Sequence, residues 1–361
     1  MPYPPDYGGV FDLFYKIKML SGIGIKIHLH CFEYGRGQQP ELNQYCEEVF
    51  YYKRKTFFQT TELRLPYIVS SRINSLLIEN LLKDNYPVLL EGIHCTYYLY
   101  NGQLRNRKVL VRLHNVEYEY YDQLANSAKN IYKKTYYKLE SRLLKKYEKS
   151  IAAKAKLLAV NEKDKHTYQE IFLAKDIEFL PVFLPFKVVK SKQGNGHFCL
   201  YHGNLSVSEN ERAVLWLLKN VSSQSEMKFI IAGKNPAAFL KNKILENKNV
   251  ELKENPSQEE MEDLINNAHV HLLPSFNSTG IKIKLLNALF NGRFVITNAA
   301  SVAGTGLASL CEIAEDGKEN LKKINELFEI SFSETEIIKR KEILCKMYDN
   351  EKNAQQLMKW L

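Results

Sequence analysis

Glycines, lysines and hydroxyl side chains gather in three short segments of the second half of the chain, each directly after an apolar run. The segments are HGNLS (202–206), AGKNP (232–236) and PSFNSTGIK (274–282). Gly203 and Gly233 allow the backbone to approach a ligand closely, and Lys234 adds a positive charge. Glycine-rich turns that lead into helices are typical of phosphate and diphosphate sites.

The third segment carries the clearest indication of an anion site. It holds three good helix N-cap residues followed by a glycine, namely Ser275, Ser278, Thr279 and Gly280. We expect a helix to open here, with Lys282 in its first turn and Lys284 just beyond it. Cations at a helix N-terminus oppose the helix dipole, so their presence indicates a bound anion. The alternative interpretation is a solvated basic turn.

Two histidines and a glycine pair are the chemical candidates of the first half. His94 and His114 lie at the ends of two apolar runs, and Gly8 and Gly9 come just before a helical pattern. A single histidine is more often structural than catalytic. Two histidines at adjacent strand ends, facing a glycine loop, keep a catalytic role open beside the structural one.

Apolar runs alternate with helical patterns along the chain, which predicts parallel α/β sheets. We predict strands at 24–32, 87–93, 108–114, from 156, at 177–186, 198–206, 228–236, 249–257, 269–275, 293–301 and 311–317, and helices at 72–84, 209–221, 279–292, 318–329, 334–348 and 351–361. The polar segment 187–197 is the best domain boundary. It separates a domain at 1–186 from one at 198–330, and we expect the helices of 331–361 to pack back on the first.

The predicted fold is therefore two doubly wound α/β domains with a cleft between them. In such open sheets, ligands bind at the carboxyl ends of the strands. The length of 361 residues agrees with two domains. No apolar run reaches about 18 residues, so we expect no spanning helix, and we see no secretory signal. The six cysteines show no metal-site or disulfide spacing, which indicates reduced thiols in the cytoplasm and no zinc.

The net charge of +9 is concentrated in the segment 129–156, where ten Lys/Arg oppose two Glu. Tyr132, Tyr136, Leu139, Leu143 and Tyr147 follow helical spacing, which predicts an amphipathic helix with a basic outer face. That face is either simply solvated or a docking surface for anionic lipid head groups. No RNA- or DNA-binding motif accompanies the charge, so we expect no nucleic-acid partner.

The order and spacing of these segments resemble a GT-B fold glycosyltransferase, most similar to family 4 of the glycosyltransferase group 1 superfamily. The resemblance covers nearly the whole chain. It rests on PPDYGG (4–9), RLHNVEYEYYDQLA (112–125), AVNEKDKHTY (159–168), GNLS (203–206), AGKNP (232–236) and the stretch from Thr279 to Leu307. No one of these motifs is decisive; their order and spacing together are specific.

The resemblance implies transfer of a sugar from a nucleotide diphosphate sugar to an acceptor hydroxyl, with retained configuration and without a metal or other cofactor. It implies a cytoplasmic protein at the inner face of the cell membrane, acting in polysaccharide or glycoconjugate synthesis. The implied catalytic residues are His114, Lys282 and Lys284, and the implied acceptor side holds His94, Asn115 and Glu117. The implied donor site holds Gly8, Gly9, Gly203, Asn204, Gly233, Lys234, Ser275, Thr279, Gly280 and Asn287.

Four positions depart from the family pattern. Thr279 and Asn287 stand where the family usually has two glutamates, and Asn204 and Asn210 stand where it has an arginine and a lysine. Lys282, Lys284 and Lys234 are the candidates to replace the missing cations. Because of these departures, a second interpretation stays open: the chain is a catalytically silent partner protein of a glycosylation complex. A nucleotide-sugar epimerase is a weaker alternative because it needs cleft carboxylates, of which we see few.

The family also has a strand before the loop that PYPPDYGG resembles, at the centre of the first sheet. This sequence begins inside that loop. We expect either that the chain start is misassigned or that the strand is absent; a parallel sheet without a central strand would leave backbone groups of its neighbours unpaired.

Overall fold

The computed structural model describes residues 1–5, 8–33, 35–60, 62, 64–128 and 130–361, which divide into two compact units. The first unit comprises residues 1–185 together with 348–361, and the second comprises 186–347. We expected all of 331–361 to pack on the first domain. The structure instead includes 331–347 in the second unit, and only 348–361 belongs to the first.

The first unit alternates strands and helices as predicted. Its elements are α1 (Gly8–Gly22), β1 (His28–Glu33), β2 (Glu48–Lys53), α2 (Tyr67–Ser70), α3 (Ser75–Leu81), β3 (Val88–Glu91), α4 (Tyr97–Tyr100), β4 (Val109–Leu113), α5 (Glu117–Ser127), α6 (Ile131–Ile151), β5 (Lys156–Ala159), α7 (Glu162–Phe172) and β6 (Ile177–Phe179). The C-terminal helix Asn350–Trp360 completes it.

Two separate parallel sheets form in the described part of the first unit. One has the order β3-β4-β5-β6, and the other pairs β1 with β2. Every residue of β4 is buried, as expected for a central strand covered on both faces. The sequence analysis missed β2, in which only Tyr52 is buried. Gly8 and Gly9 are the first residues of α1, so the prediction that they precede the helix was wrong; Asp6 and Tyr7 of the same loop lie outside the described residues.

The second unit is one six-stranded parallel sheet with helices between the strands. Its elements are β7 (Cys199–Asn204), α8 (Ser208–Asn220), β8 (Phe229–Lys234), α9 (Ala238–Leu245), β9 (Val250–Glu254), α10 (Gln258–Asn267), β10 (Val270–Leu272), α11 (Ile283–Asn291), β11 (Phe294–Thr297), α12 (Ala299–Val302), β12 (Glu312–Ile313), α13 (Gly317–Phe328) and α14 (Glu334–Arg340). The strand order is β12-β11-β10-β7-β8-β9.

This order is that of a doubly wound Rossmann sheet, in which the first strand of the unit is central and the chain winds outward in both directions. The predicted class, α/β with parallel sheets in two domains, is confirmed; the doubly wound order is present in the second unit, whereas the described four-stranded sheet of the first unit follows chain order. The winding direction reverses between β7 and β10, which are direct neighbours. A crevice opens at such a switch point beyond the carboxyl ends of the strands. The segments that follow β7 and β10 are therefore brought together by the topology.

Helix α6 carries the basic segment, but its buried side differs from the predicted one. Tyr132 and Leu139 are 83% and 55% exposed, contrary to the expected apolar stripe, whereas Tyr147 is buried. Both acids of the helix, Glu140 and Glu148, are also buried. The outer face is therefore more uniformly basic than the sequence indicated; Lys129, where the predicted segment starts, lies outside the described residues. None of the helices in these residues combines the length and the apolar character that crossing a membrane requires.

Candidate active site

Two glycines sit side by side at the carboxyl ends of β7 and β8. Gly203 is the register partner of Gly233. A Cβ atom on Gly233 would lie 1.8 Å from the carbonyl oxygen of Gly203, and one on Gly203 would lie 3.2 Å from the Asn210 amide nitrogen. Only glycine therefore fits at position 233, because the clash there is with backbone that cannot move aside.

Lys284 lies beside these glycines, in the first turn of α11. Its ammonium nitrogen donates to the amide oxygen of Asn210 at 2.8 Å and to the hydroxyl of Tyr201 at 3.0 Å. It lies 4.7 Å from the Tyr201 ring centroid. Burial lowers the pKa of Lys284 to about 8; Glu209 opposes this effect and Lys282 adds to it. Among the described residues no carboxylate forms an ion pair with Lys284.

The loop between β10 and α11 is held by its own polar side chains. The Ser275 hydroxyl donates to Glu209 at 2.7 Å. The Asn277 amide oxygen accepts from both the backbone N–H and the hydroxyl of Thr279, at 2.8 and 2.9 Å. Gly280 adopts a φ of 65°, which favours glycine. The loop is thus fixed before the helix begins.

The predicted helix start was wrong by four residues. Helix α11 begins at Ile283, with Lys282 at the N-cap position and no side-chain cap. Ser275, Ser278 and Thr279 are therefore not its N-caps. Residues 279–282 belong to the loop and not to the helix, because Thr279 is hydrogen-bonded to Asn277 and Gly280 turns the chain. The Lys282 ammonium donates to the Thr279 carbonyl at 2.7 Å, so both lysines stand at the opening of the helix.

Three other predicted donor residues take no part in the hydrogen bonds of Lys284. The Asn204 side chain accepts from the backbone N–H of Ser206 at 3.1 Å. Lys234 is exposed at the end of β8. The Asn287 amide oxygen accepts from Asn291 at 2.8 Å. Within the described part of the chain, no hydrogen bond connects Lys234 or Asn287 to Lys284.

A buried ion-pair network lies at the carboxyl edge of the first unit. The Asp12 carboxylate accepts from the Arg112 guanidinium at 3.1 Å and from the Lys16 ammonium at 3.3 Å. It also accepts from the backbone N–H of Phe183 at 2.8 Å. Burial by itself would raise the pKa of Asp12, but Arg112 and Lys16 together hold it well below its usual range. The Asp12 carboxylate therefore pairs with one cation a helical turn away on α1 and with another that is 100 residues distant in the chain.

His114 stands at the open end of this network. Its Nε2 lies 3.2 Å from Glu91 Oε2, and its Nδ1 lies 3.9 Å from Asp12 Oδ2. Glu91 is also paired with Lys16 at 2.7 Å. Burial raises the pKa of Glu91, but Lys16 and then His114 outweigh it, and the net direction is downward. The His114 ring thus lies beside both carboxylates of the network, with 18% of its side chain exposed.

Three of these groups also have the types and spacing of a metal site. Asp12, Glu91 and His114 offer ligand atoms within 4.8 Å of one another. However, Lys16 and Arg112 already neutralise the two carboxylates, and a divalent cation there would meet two fixed positive charges. We therefore interpret the cluster as an ion-pair network that orients His114.

His94 follows β3 through a tight turn. Gly92 adopts a φ of 95°, and a Cβ atom on it would lie 2.4 Å from the His94 ring. Burial lowers the pKa of His94 well below its usual value, and the charges of Arg72 and His114 add to this. Burial therefore favours the neutral form of the His94 imidazole.

Asn115 and Glu117 lead into α5, whose first turn is anchored by a buried acid. The Glu148 carboxylate accepts from the backbone N–H groups of Glu117 and Tyr118, at 2.8 and 3.0 Å. It also accepts from the Tyr168 hydroxyl at 2.7 Å. Burial raises the pKa of the Glu117 carboxyl, an effect that Asn115 opposes. Glu148 thereby positions the segment that follows His114.

The structure thus forms two groups from the predicted site residues. Lys282 and Lys284 share the opening of α11 in the second unit, and His94 and His114 share an edge in the first. The sequence analysis missed Tyr201 and Glu209, which hold Lys284 and Ser275. It also missed the Asp12, Lys16, Glu91 and Arg112 network. Glu209 could have been found from the sequence, because it directly precedes Asn210 in the first turn of the predicted helix.

Comparison with known proteins gives one family match and one curated relative. The family described as "Glycosyl transferases group 1" matches residues 196–328, the span that contains the Lys284 site. A protein of Klebsiella pneumoniae is 30% identical over 326 residues, which are 84% of this chain and 82% of that protein. It is described as an uncharacterized 44.6 kDa protein in the cps region.

Solved structures resemble this chain over nearly its whole length. Sucrose-phosphate synthase from Thermosynechococcus elongatus has a TM-score of 0.74 at 13% identity, covering 99% of this chain and 95% of that one. HepE of Anabaena, solved in complex with UDP-glucose, has a TM-score of 0.67 at 12% identity, covering 99% of this chain and 96% of that one. At these identities the likeness establishes the fold.

Proposed function

The chain belongs to the group 1 glycosyl transferases, and on that premise we propose that it moves a sugar from a nucleotide diphosphate sugar to a hydroxyl of a glycan or lipid-linked acceptor, with retention of configuration. Its family and the relative in a cps region indicate polysaccharide synthesis. The donor would bind at the switch point of the second unit.

The observation that carries the donor proposal is the position of Lys284. It is a partly buried cation in the first turn of a helix, beside two strand-end glycines, and its described partners are neutral oxygens. An ammonium in such a place gains stability from a bound anion, since neither the helix dipole nor a carboxylate compensates its charge. A diphosphate supplies that charge and can also accept from the N–H groups that open α11.

In the proposed reaction, the bond between the anomeric carbon and the diphosphate oxygen breaks as the acceptor oxygen bonds to the same face of that carbon. The acceptor proton passes to the departing diphosphate. Lys284 and Lys282 stabilise the negative charge that develops on the diphosphate, which is an electrostatic role. Because lysine supplies this charge, the proposal requires no metal ion.

We assign the acceptor to the first unit. The His114 ring is confined between Glu91 and Asp12, at 3.2 and 3.9 Å, and keeps an exposed edge. A confined ring of this kind can orient a sugar hydroxyl by a hydrogen bond, and orientation of reacting groups is a large part of catalysis. His94, Asn115 and Glu117 lie at the same edge and are the proposed acceptor contacts.

The donor proposal is tested by nucleotide binding. A thermal-shift panel of UDP, GDP, ADP and their sugars should show stabilisation by one diphosphate, because a ligand that binds only the folded state raises its stability. Lys284→Gln should reduce that shift strongly. Lys318→Gln is the matched control, since Lys318 is an exposed lysine at the second position of α13, as Lys284 is of α11. If no nucleotide stabilises the folded protein, the silent-partner alternative gains and the transferase proposal fails.

We further propose that α6 contacts an anionic membrane at the inner face of the cell membrane, where a lipid-linked acceptor would lie. Lys133, Lys134, Lys145 and Lys146 are exposed on this helix. Ile131 and Tyr132 are 66% and 83% exposed beside them. Basic residues with exposed apolar neighbours bind anionic lipid surfaces.

Vesicle binding tests this contact. Lys133→Glu combined with Lys134→Glu should weaken sedimentation with vesicles that contain anionic lipid. The control reverses two exposed lysines of the second unit, Lys248 and Lys318, which gives the same change in net charge. Equal vesicle binding by both double variants would refute a role for α6.

A further inference from the structure

Arg72 is a partly buried arginine that forms no ion pair with a carboxylate of the described residues. Its Nη1 donates to the carbonyl oxygen of Ile68 at 2.5 Å, and no other hydrogen bond or ion pair of its guanidinium is made with a described residue. Burial lowers the pKa of Arg72, and the neighbouring charge of Arg54 has the same effect. A guanidinium taken out of water is costly unless an anion pairs with it.

Two other buried cations of the first unit, Arg112 and Lys16, are paired with carboxylates. Arg112 and Lys16 are bound to Asp12, and Lys16 is also bound to Glu91. Arg72 differs from these two cations because no carboxylate of the described residues pairs with it. An anionic ligand would therefore bind to Arg72 in preference to Arg112 or Lys16, whose charges are already paired.

His94 lies close enough to Arg72 for the two charges to interact. Helix α2, which ends just before Arg72, packs against the turn Ile93–Cys95. Neither ring nitrogen of His94 makes a hydrogen bond within the described residues. As a neutral imidazole, its ring can donate one hydrogen bond to an anion. The glycine at position 92 leaves the room that this ring needs.

Arg54 adds a second guanidinium to the site. Its Nε donates to the Ser71 hydroxyl at 2.9 Å, and the backbone N–H of Lys55 donates to the Ser71 carbonyl at 2.8 Å. Arg54 and Arg72 thus flank the same residue, and Arg54 lies over the Tyr67 ring at 5.2 Å. Glu117 acts on the pKa of Arg72 in the direction opposite to Arg54.

We propose that Arg72 and His94 form an anion site in the first unit and that this site binds a phosphate or carboxylate group of the acceptor. The assignment to the acceptor rests on the proposed function. A planar guanidinium matches both anions because it can donate two parallel hydrogen bonds. The acceptor is accordingly a phosphorylated or acidic saccharide, and a neutral sugar lacks the group that the site recognises.

Calorimetric titration of the full chain tests the site with three probes: glucose 6-phosphate, glucuronate and neutral glucose. We expect saturable binding of at least one anionic sugar and none of glucose. The stronger anionic probe identifies phosphate or carboxylate as the preferred group. Arg72→Gln should weaken this binding at least tenfold, and Arg72→Lys should restore part of it. Arg105→Gln, which changes an exposed arginine of the same unit, should leave it within twofold.

Lys284→Gln separates this inference from the donor proposal. It should leave anionic sugar binding unchanged while it weakens nucleotide binding. If Lys284→Gln abolishes the binding of the anionic sugar and Arg72→Gln does not, the anion occupies the donor site and the inference is overturned, while the proposed function stands. Absence of any anionic sugar binding also overturns it. If Arg72→Gln does not fold, His94→Gln carries the test, with a severalfold loss expected and an unchanged affinity contradicting the proposal.

Discussion

The ammonium nitrogen of Lys284 lies 2.8 Å from the amide oxygen of Asn210. The family that the sequence resembles usually has a lysine at the position of Asn210. Two lysines at this spacing would repel each other. A neutral acceptor at position 210 instead holds Lys284 in place, so the charge state of residue 210 and that of Lys284 are electrostatically coupled.

Replacement of Asn210 by aspartate tests this coupling. The Asn210→Asp carboxylate would pair with Lys284 and neutralise the charge that a donor diphosphate needs. We expect nucleotide affinity to fall at least tenfold, which is about 1.4 kcal/mol, with little loss of stability. Calorimetry with the diphosphate that binds the unchanged protein measures this. Asn242→Asp, at an exposed position of the same unit, is the control. Equal affinities of the two variants would contradict a direct role for Lys284.

Nucleotide binding should also depend on pH through Lys284. Its pKa of about 8 in the free protein means that the lysine is charged below this value and neutral above it. Binding of a diphosphate requires the charged form, so affinity should decline as the pH rises from about 7 to about 9. The decline should be absent in Lys284→Gln and present in Lys318→Gln. Titrations at several pH values check this, and a flat profile in the unchanged protein would refute it.

The donor half was largely readable from the sequence because its signals are local. The turns with Gly203, Gly233 and Gly280 were recognised after apolar runs of the sequence, and the strand order brings their segments together. The start of α11 was not readable, since Asn277 and Gly280 make a turn where the sequence also suits a helix. The partners of Lys284 were equally hidden, because Tyr201 lies 83 residues away in the chain.

The first half was less predictable because its site is assembled over long distances. His114 was recognised from its place after an apolar run, but Asp12 meets Arg112 across 100 residues. No local pattern signals such a pair. The buried acids of α6 were missed for a related reason: Glu140 and Glu148 look like solvent-facing charges until backbone N–H groups from other elements are placed against them.

Gly233→Ala should destabilise the second unit. The added methyl would lie 1.8 Å from the carbonyl oxygen of Gly203, and a central parallel strand cannot shift without breaking its neighbours' hydrogen bonds. We expect a loss of about 3 kcal/mol in the free energy of unfolding, together with weaker nucleotide binding. Gly22→Ala, where nothing lies within 4 Å of the new methyl, should be neutral or slightly stabilising. Chemical denaturation of both variants compares them.

Asp12→Asn should be the most destabilising single change in the ion-pair network of the first unit. It leaves Arg112 and Lys16 without their shared buried carboxylate, and an uncompensated buried charge costs about 3–5 kcal/mol. Asp176→Asn, which removes a carboxylate that is 57% exposed and paired with Lys156, should cost less than about 1 kcal/mol.

Because the pKa of Asp12 is lowered by folding, the contribution of its charge to stability is complete above about pH 5 and is lost as the pH falls below about 4. The stability difference between the unchanged protein and Asp12→Asn should therefore shrink in acid, and denaturation curves between pH 7 and pH 3 measure it. A difference that stays constant over this range would show that Asp12 acts through packing and not through its charge.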